Sequence, residues 1–106
     1  MEPEVDFTYL EPLSEAMRDL DKQGYTAHFK VENNQLVNIA TRRKYSPGEV
    51  TIVEKFRFEG PSNPDDMSIL YAVECKDGVK GVVVNAYGLY ADDEIDNFLK
   101  KAADIS

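Results

Sequence analysis

The chain has 106 residues, 42% hydrophobic and 30% charged, a mixture typical of one folded globular domain. Twenty acidic and twelve basic side chains give a formal net charge of -8, which argues against general binding to nucleic acid or to anionic membranes. No apolar run approaches the roughly 18 residues that span a bilayer. We therefore expect a soluble, cytoplasmic single domain over residues 1–106, with residues 1–10 as a candidate flexible segment.

The first predicted element is a short amphipathic helix over about residues 12–23. Leu13, Met17 and Leu20 recur at helical spacing, and Gly24 suits the cap beyond the end. The stretch "YTAHFKV" then alternates as a strand, and the Asn33-Asn34 pair predicts a hairpin turn to its partner "QLVNIA".

The basic stretch "TRRKYSPGE" contains Pro-Gly and is predicted to be a loop. The next run, "VTIVEKFRF", alternates as a strand and places Val50, Ile52, Phe56 and Phe58 on one face. Glu54 falls on that same apolar face, which the alternation does not explain.

An Asp-Gly pair between two β-rich runs predicts the last hairpin. If Asp77 and Gly78 form a two-residue turn, Cys75 lies opposite Lys80 and Tyr71 lies opposite Val84. The apolar face of the hairpin then carries Ile69, Tyr71, Val73, Cys75, Val82, Val84 and Ala86. On this strand Cys75, the one cysteine of the chain, is expected to be a buried apolar filler rather than a nucleophile.

The stretch "ADDEIDNFLKKAADI" predicts a C-terminal helix with apolar residues at helical spacing. Asp92, Asp93 and Glu94 at its start suit helix capping better than cation binding. The predicted fold is thus α+β in the order α-β-β-β-β-β-α. Its four- to five-stranded, mainly antiparallel sheet would carry the N- and C-terminal helices on one face.

Three stretches, "LSEAMRDLDKQGYT", "FRFEGPSNPDDMSILYAVE" and "DGVKGVVVNAYGLYAD", together resemble a family of short, functionally uncharacterised bacterial proteins often labelled phosphoribosylpyrophosphate synthetase. The resemblance extends from about Leu13 to Asp92. Genuine synthetases of that name are much longer and use a phosphate-gripping loop, a histidine near ATP and acidic residues for magnesium. Here "VVVNAYGLY" has Asn85-Ala86 where the phosphoribosyl-diphosphate motif has paired acids, and no Walker-type loop is present. The motifs do not support the label.

Two loops contain candidate ligand-binding residues. Asp65 and Asp66, with Glu59 and Asn63, would offer oxygen ligands to a magnesium ion, but "NPDD" is also a turn sequence, and the turn is the favoured interpretation. The basic residues Arg42, Arg43 and Lys44 could hold a phosphate or carboxylate, or instead pair with carboxylates of the chain itself.

If both helices cover the apolar face of the sheet, the other face is open and mixed in character. Aliphatic side chains there alternate with a tyrosine and with basic and other polar ones, which suits a protein partner, a second copy of the chain or an acidic small molecule. We therefore predict a non-catalytic binding module without a cofactor; the alternative is a small magnesium- or phosphate-dependent enzyme handling nucleotides or phosphoribosyl groups. The candidate binding residues of this open face are His28, Lys30, Lys55, Arg57, Asn85 and Tyr87.

Overall fold

The structure is a computed structural model and describes residues 11–58, 68–86 and 92–106. The candidate flexible segment, residues 1–10, lies outside the described residues. None of the described helices is long and apolar enough to cross a membrane. The elements are helix α1 (Glu11–Lys22), strands β1 (Ala27–Glu32), β2 (Gln35–Asn38) and β3 (Lys44–Tyr45), a short 3-10 helix (Pro47–Glu49), strands β4 (Val50–Phe58), β5 (Ser68–Cys75) and β6 (Lys80–Ala86), helix α2 (Asp93–Lys101) and strand β7 (Ala103–Asp104).

The strands form one mixed sheet in the order β3-β2-β1-β6-β5-β4-β7. The β1–β6 and β4–β7 pairs are parallel and the other neighbours are antiparallel. The α+β class is confirmed, and the sheet is mainly antiparallel as predicted, but it has seven strands rather than four to five and two of its pairs are parallel. Two additional short strands account for the difference: β3 lies in the predicted basic loop, and β7 lies in the predicted end of the C-terminal helix.

Helix α1 ends as its sequence predicts. The backbone N–H of Tyr25 donates to the carbonyl of Leu20 at 2.9 Å, and the N–H of Gly24 donates to the carbonyl of Asp21 at 3.1 Å. Gly24 has φ +103°, the left-handed conformation that such a cap requires. The glycine therefore stops the helix and turns the chain into β1.

The β1–β2 hairpin also follows its sequence. Asn33 and Asn34 have φ values of 52° and 63°, as both central residues of a type I′ turn do, and Glu32 pairs with Gln35 across it. Asparagine tolerates this conformation better than other residues with a side chain, so the pair fixes the register of the hairpin.

The β5–β6 turn differs from the prediction by one residue. The N–H of Gly78 donates to the carbonyl of Cys75 at 2.9 Å, and the N–H of Cys75 donates to the carbonyl of Val79 at 2.8 Å. The loop therefore has three residues and ends on a left-handed glycine, with Gly78 at φ +93°. Tyr71 consequently lies opposite Val83 rather than Val84, and each side chain of β6 is on the face opposite to the predicted one.

A β-bulge in β4 resolves the position of Glu54. Ile52 pairs with Val73 and Glu54 pairs with Ala72, so that Val53 is an extra residue between the two pairs. The apolar alternation of β4 therefore changes face at Val53. Phe56 and Phe58 lie on the opposite side of the sheet from Val50 and Ile52, contrary to the prediction that all four share one face.

The two helices cover opposite faces of the sheet, so the prediction that they share one face is wrong. Phe98 and Leu99 of α2 belong to the larger core cluster, which also contains Tyr71 and Val73 of β5. Leu20 of α1 packs on the other side, in the second cluster, which contains Leu70, Ala72 and Val82. Alternate residues of β5 are apolar on both faces, which is why one helix is needed on each side.

Candidate functional site

A cluster of polar side chains surrounds Asp77 in the β5–β6 turn. Its Oδ2 accepts hydrogen bonds from Arg43 Nη1 at 2.8 Å and from the Tyr45 hydroxyl at 2.9 Å. Its Oδ1 accepts one from the backbone N–H of Val79 at 3.1 Å. The carboxylate therefore connects the edge strand β3 to the turn between two central strands.

The loop between β2 and β3 positions Arg43. The side-chain Oδ1 of Asn38, which is 6% exposed, accepts hydrogen bonds from the N–H groups of Ala40 at 2.9 Å and Thr41 at 3.3 Å. Arg42 adopts φ 65°, and its N–H donates to the carbonyl of Asn38 at 2.8 Å. This tight turn directs Arg43 and β3 back towards the β5–β6 turn.

Beside this cluster lies a depression of about 320 Å³. Both carboxylates of the depression accept hydrogen bonds from within the chain. Those to Asp77 are given above. Glu49 Oε1 accepts from the backbone N–H of Ser46 at 2.9 Å and from the Ser46 hydroxyl at 3.2 Å. The cationic groups of the depression are all on exposed residues. Its lining consists of Arg43, Lys44, Tyr45, Glu49, Lys76 and Asp77.

These contacts shift the pKa values of the cluster in directions that preserve its charges. The hydrogen bond from Arg43 lowers the pKa of Asp77, and the bond from the Val79 N–H adds to this; the same pair raises the pKa of Arg43. Burial raises the pKa of Tyr45 to about 12, and its hydrogen bond to Asp77 contributes in the same direction. At neutral pH the guanidinium and carboxylate are therefore charged and the phenol is neutral.

The predicted open-face residues do not share one face. His28 is exposed on β1 and pairs in register with Val82, on the side that α1 covers. Lys55 and Arg57 follow the bulge and lie opposite Tyr71 and Ile69, on the side that α2 covers. Lys30 lies on the same side of β1 as His28, and Tyr87 lies outside the described residues.

Asn85, a further open-face candidate, is a buried structural residue that holds the start of α2. Its Oδ1 accepts from the Asp92 N–H at 2.9 Å, and its Nδ2 donates to the Asp92 carbonyl at 3.4 Å. The Asp92 side chain in turn accepts from the N–H groups of Glu94 and Ile95. The capping interpretation of the acidic run is therefore confirmed for Asp92.

The predicted metal ligands Asp65 and Asp66, with Glu59 and Asn63, lie outside the described residues, and metal binding there stays a prediction. Within residues 11–58, 68–86 and 92–106, no group of three or more histidine, cysteine, aspartate or glutamate side chains could hold a metal ion. Cys75 is 3% exposed, and burial raises the pKa of its thiol to about 12, which agrees with the predicted role of an apolar filler.

Among the predicted anion-binding residues, Arg43 and Lys44 line the depression, whereas Arg42 is an exposed turn residue that is not part of the lining. Sequence reasoning missed Lys76 and the role of Asp77. The Asp-Gly turn signal located Asp77 but gave no indication of its partner, because Arg43 is 34 residues away along the chain.

The chain was compared with protein-family models, curated proteins and solved structures, and no match was found in any of the three.

Proposed function

We propose that this protein is a small non-catalytic binding module that holds an anionic group, a carboxylate or a phosphate, in the depression between β3 and the β5–β6 turn. One observation carries the proposal: both carboxylates of the depression are engaged in hydrogen bonds within the chain, while the cations beside them, Arg43, Lys44 and Lys76, are on exposed residues. The depression is therefore a site that favours an anion in a chain of net charge -8.

Arg43 has the donors that such a ligand needs. A guanidinium carries five N–H groups, and the bond to Asp77 uses the Nη1 end, so that other N–H groups can make a forked contact with carboxylate or phosphate oxygens. The Arg43 side chain is 63% exposed in spite of this bond. Asp77 thus fixes the guanidinium in position without covering it.

Lys44 and Lys76 approach the same depression from two different elements, the edge strand β3 and the β5–β6 turn. Together with Arg43 they give three cations against two carboxylates. A volume of about 320 Å³ is at the small end of ligand sites, which suits one small anion or one anionic group of a larger partner.

The ionisation of the cluster favours binding over catalysis. Tyr45, with a pKa of about 12, stays protonated at neutral pH, and Asp77, with a lowered pKa, stays ionised. Efficient general acid–base groups have pKa values near the working pH, which neither of these groups has. The alternative predicted from the sequence, an enzyme that uses magnesium at Asp65 and Asp66, stays a prediction.

Titration of the protein with inorganic phosphate and, separately, with citrate tests the proposal. We expect saturable NMR shifts of the Lys44 and Lys76 amides, and the double variant Lys44→Ala with Lys76→Ala should weaken binding by at least about tenfold. The matched control is Lys30→Ala with Lys100→Ala, which removes the same charge from β1 and α2. A wild-type protein without saturable shifts would overturn the proposal, as would an equal loss in the control variant.

A further inference from the structure

A second depression, of about 250 Å³, adjoins the anion site. The two depressions share Arg43 and Tyr45 as lining residues and are therefore neighbours. Arg43 is the charged residue among those that line the second depression, and the others are neutral: Asn38, Thr41, Tyr45 and Val79. This lining suits the neutral part of a ligand whose anionic group lies in the first depression.

The second depression contains a buried hydrogen-bond donor, the side chain of Asn38, which is 6% exposed. Its Oδ1 accepts from the N–H groups of Ala40 at 2.9 Å and Thr41 at 3.3 Å, which identifies Oδ1 as the acceptor end and Nδ2 as the donor end. Within residues 11–58, 68–86 and 92–106, Nδ2 donates to no acceptor. A buried donor without an acceptor is costly, so a ligand that supplies an acceptor oxygen gains free energy by binding there.

The β2–β3 loop fixes the orientation of this carboxamide. The backbone N–H of Asn38 donates to the carbonyl of Arg43 at 2.9 Å, and the carbonyl of Asn38 accepts from the N–H of Arg42 at 2.8 Å. A rotation that exchanged Oδ1 and Nδ2 would break both bonds to the loop and place Nδ2 against two N–H donors. The donor is therefore held in one orientation before a ligand binds, which lowers the entropic cost of binding.

The other walls of the second depression are a hydroxyl, an aromatic ring and an aliphatic side chain. The Thr41 hydroxyl accepts from the Arg43 N–H at 3.2 Å and has its own proton to donate. The Tyr45 ring is held edge-on against Phe29, with ring centroids 6.1 Å apart, and the half-buried Val79 adds apolar surface. These walls suit a short apolar group attached to an acceptor oxygen.

From these observations we infer that the ligand is a small carboxylate that also carries a neutral carbonyl group, as an N-acylated amino acid does. Its carboxylate would lie in the first depression, its carbonyl oxygen would accept from Asn38 Nδ2, and its acyl group would pack against Tyr45 and Val79. The inference rests on the proposed anion site and narrows its ligand to one chemical class.

Two pairs of small acids test this inference. N-acetylglycine and N-acetyl-β-alanine place a carbonyl at two different spacings from the carboxylate, and pentanoate and hexanoate are chains of the same lengths without the carbonyl. We expect at least one acetylated acid to bind at least about fivefold more tightly than the alkanoate of its length. The same acid should give saturable NMR shifts of the Asn38 side-chain NH₂ signals, which the alkanoate should not.

Asn38→Asp keeps an acceptor oxygen for the loop N–H groups and removes the donor. The added charge weakens the binding of every carboxylate, so the ratio of the two affinities is the measure, and the preference for the acetylated acid should disappear. The matched control is Asn34→Asp, which adds the same charge at an exposed residue before the other end of β2 and should retain the preference. If Asn38→Asp does not fold, the Asn38 signals of the wild type still decide.

Titration with inorganic phosphate separates this inference from the proposed function. Saturable phosphate shifts of the Lys44 and Lys76 amides, together with equal affinities for acetylated and plain acids, would overturn the inference and leave the anion site in place. Asn38 side-chain signals that do not respond, or a preference that persists in Asn38→Asp, would overturn it in the same way. If neither phosphate nor any of the carboxylates gives saturable shifts, both the inference and the proposed function are wrong.

Discussion

Arg43 and Asp77 join two parts of the chain that are 34 residues apart, through a 2.8 Å contact between guanidinium and carboxylate. An exposed ion pair of this kind contributes little to stability on its own, because solvent and salt screen it. The Tyr45 hydroxyl, on a residue that is 4% exposed, binds the same carboxylate oxygen at 2.9 Å. The three groups together hold the edge strand β3 to the β5–β6 turn.

The first prediction concerns the dependence of stability on acid. Since the folded state lowers the pKa of Asp77, its contribution is complete above the ordinary aspartate value near pH 4 and is lost as the pH falls through the lowered pKa. Asp77→Asn should be less stable than the wild type at pH 7, and the two should converge as the pH falls below about 4. Urea unfolding at a series of pH values measures this. If the two proteins differ in free energy of unfolding by the same amount across that pH range, the charge of the Asp77 carboxylate is not the cause of the difference.

The second prediction concerns the other end of the pH scale. Tyr45 has its pKa raised to about 12, so the stability linked to its neutral phenol is present below the ordinary tyrosine value near pH 10 and is lost as the pH rises through about 12. Near-ultraviolet absorbance should show a tyrosine that titrates near pH 12 and that Tyr45→Phe removes, beside Tyr71, whose pKa is also raised by burial. A step near pH 12 that persists in Tyr45→Phe would contradict the assignment to this residue.

Local signals in the sequence predicted the local structure well. Asn33-Asn34 and Gly24 each occupy a left-handed position that few other residues accept, so the first hairpin and the end of α1 follow from residue type. The same reasoning predicted the wrong loop length at Asp77-Gly78, because an Asp-Gly pair suits both a two-residue turn and the end of a three-residue one. The one additional loop residue places every side chain of β6 on the face opposite to the predicted one.

Longer-range features were not predictable from periodicity. The parallel β1–β6 and β4–β7 pairs join segments far apart in sequence, and nothing in either strand specifies its partner. Helix placement failed because β5 is apolar on both faces, with Leu70 and Ala72 on one and Tyr71 and Val73 on the other. The candidate site was predicted only in part for the same reason. Its basic residues on the β2–β3 loop can be recognised in the sequence, but the distant β5–β6 turn that completes the site cannot.

The third prediction concerns the parallel β1–β6 contact, where Gly81 lies beside β1. A Cβ atom at Gly81 would collide with the backbone carbonyl oxygen of Ala27, which cannot move without separating the two strands. Gly81→Ala should therefore destabilise the protein by at least about 2 kcal/mol in chemical denaturation. Gly48→Ala is the matched control: nothing lies within 4 Å of its Cβ position, and it should be neutral or stabilise by up to about 1 kcal/mol. Equal effects of the two changes would contradict the close strand approach.

The fourth prediction concerns the bulge in β4. Because Val53 is the extra residue between the Ile52–Val73 and Glu54–Ala72 pairs, its deletion leaves every other pair of β4 in register and on its present face. The deletion should cost less than about 2 kcal/mol, mainly the partial burial of the valine side chain.

Deletion of Ala72, which lies opposite this point in β5, is the matched experiment. The central strand has no extra residue, so the deletion moves Leu70 and Tyr71 to opposite faces of the sheet and exchanges residues between the two core clusters. We expect that variant to lose most of the domain's stability, which is typically about 5–15 kcal/mol. Urea denaturation followed by circular dichroism compares the two. If removal of Val53 is as damaging as removal of Ala72, then Val53 is a paired residue of a regular strand, and Glu54 belongs on the same face as Ile52.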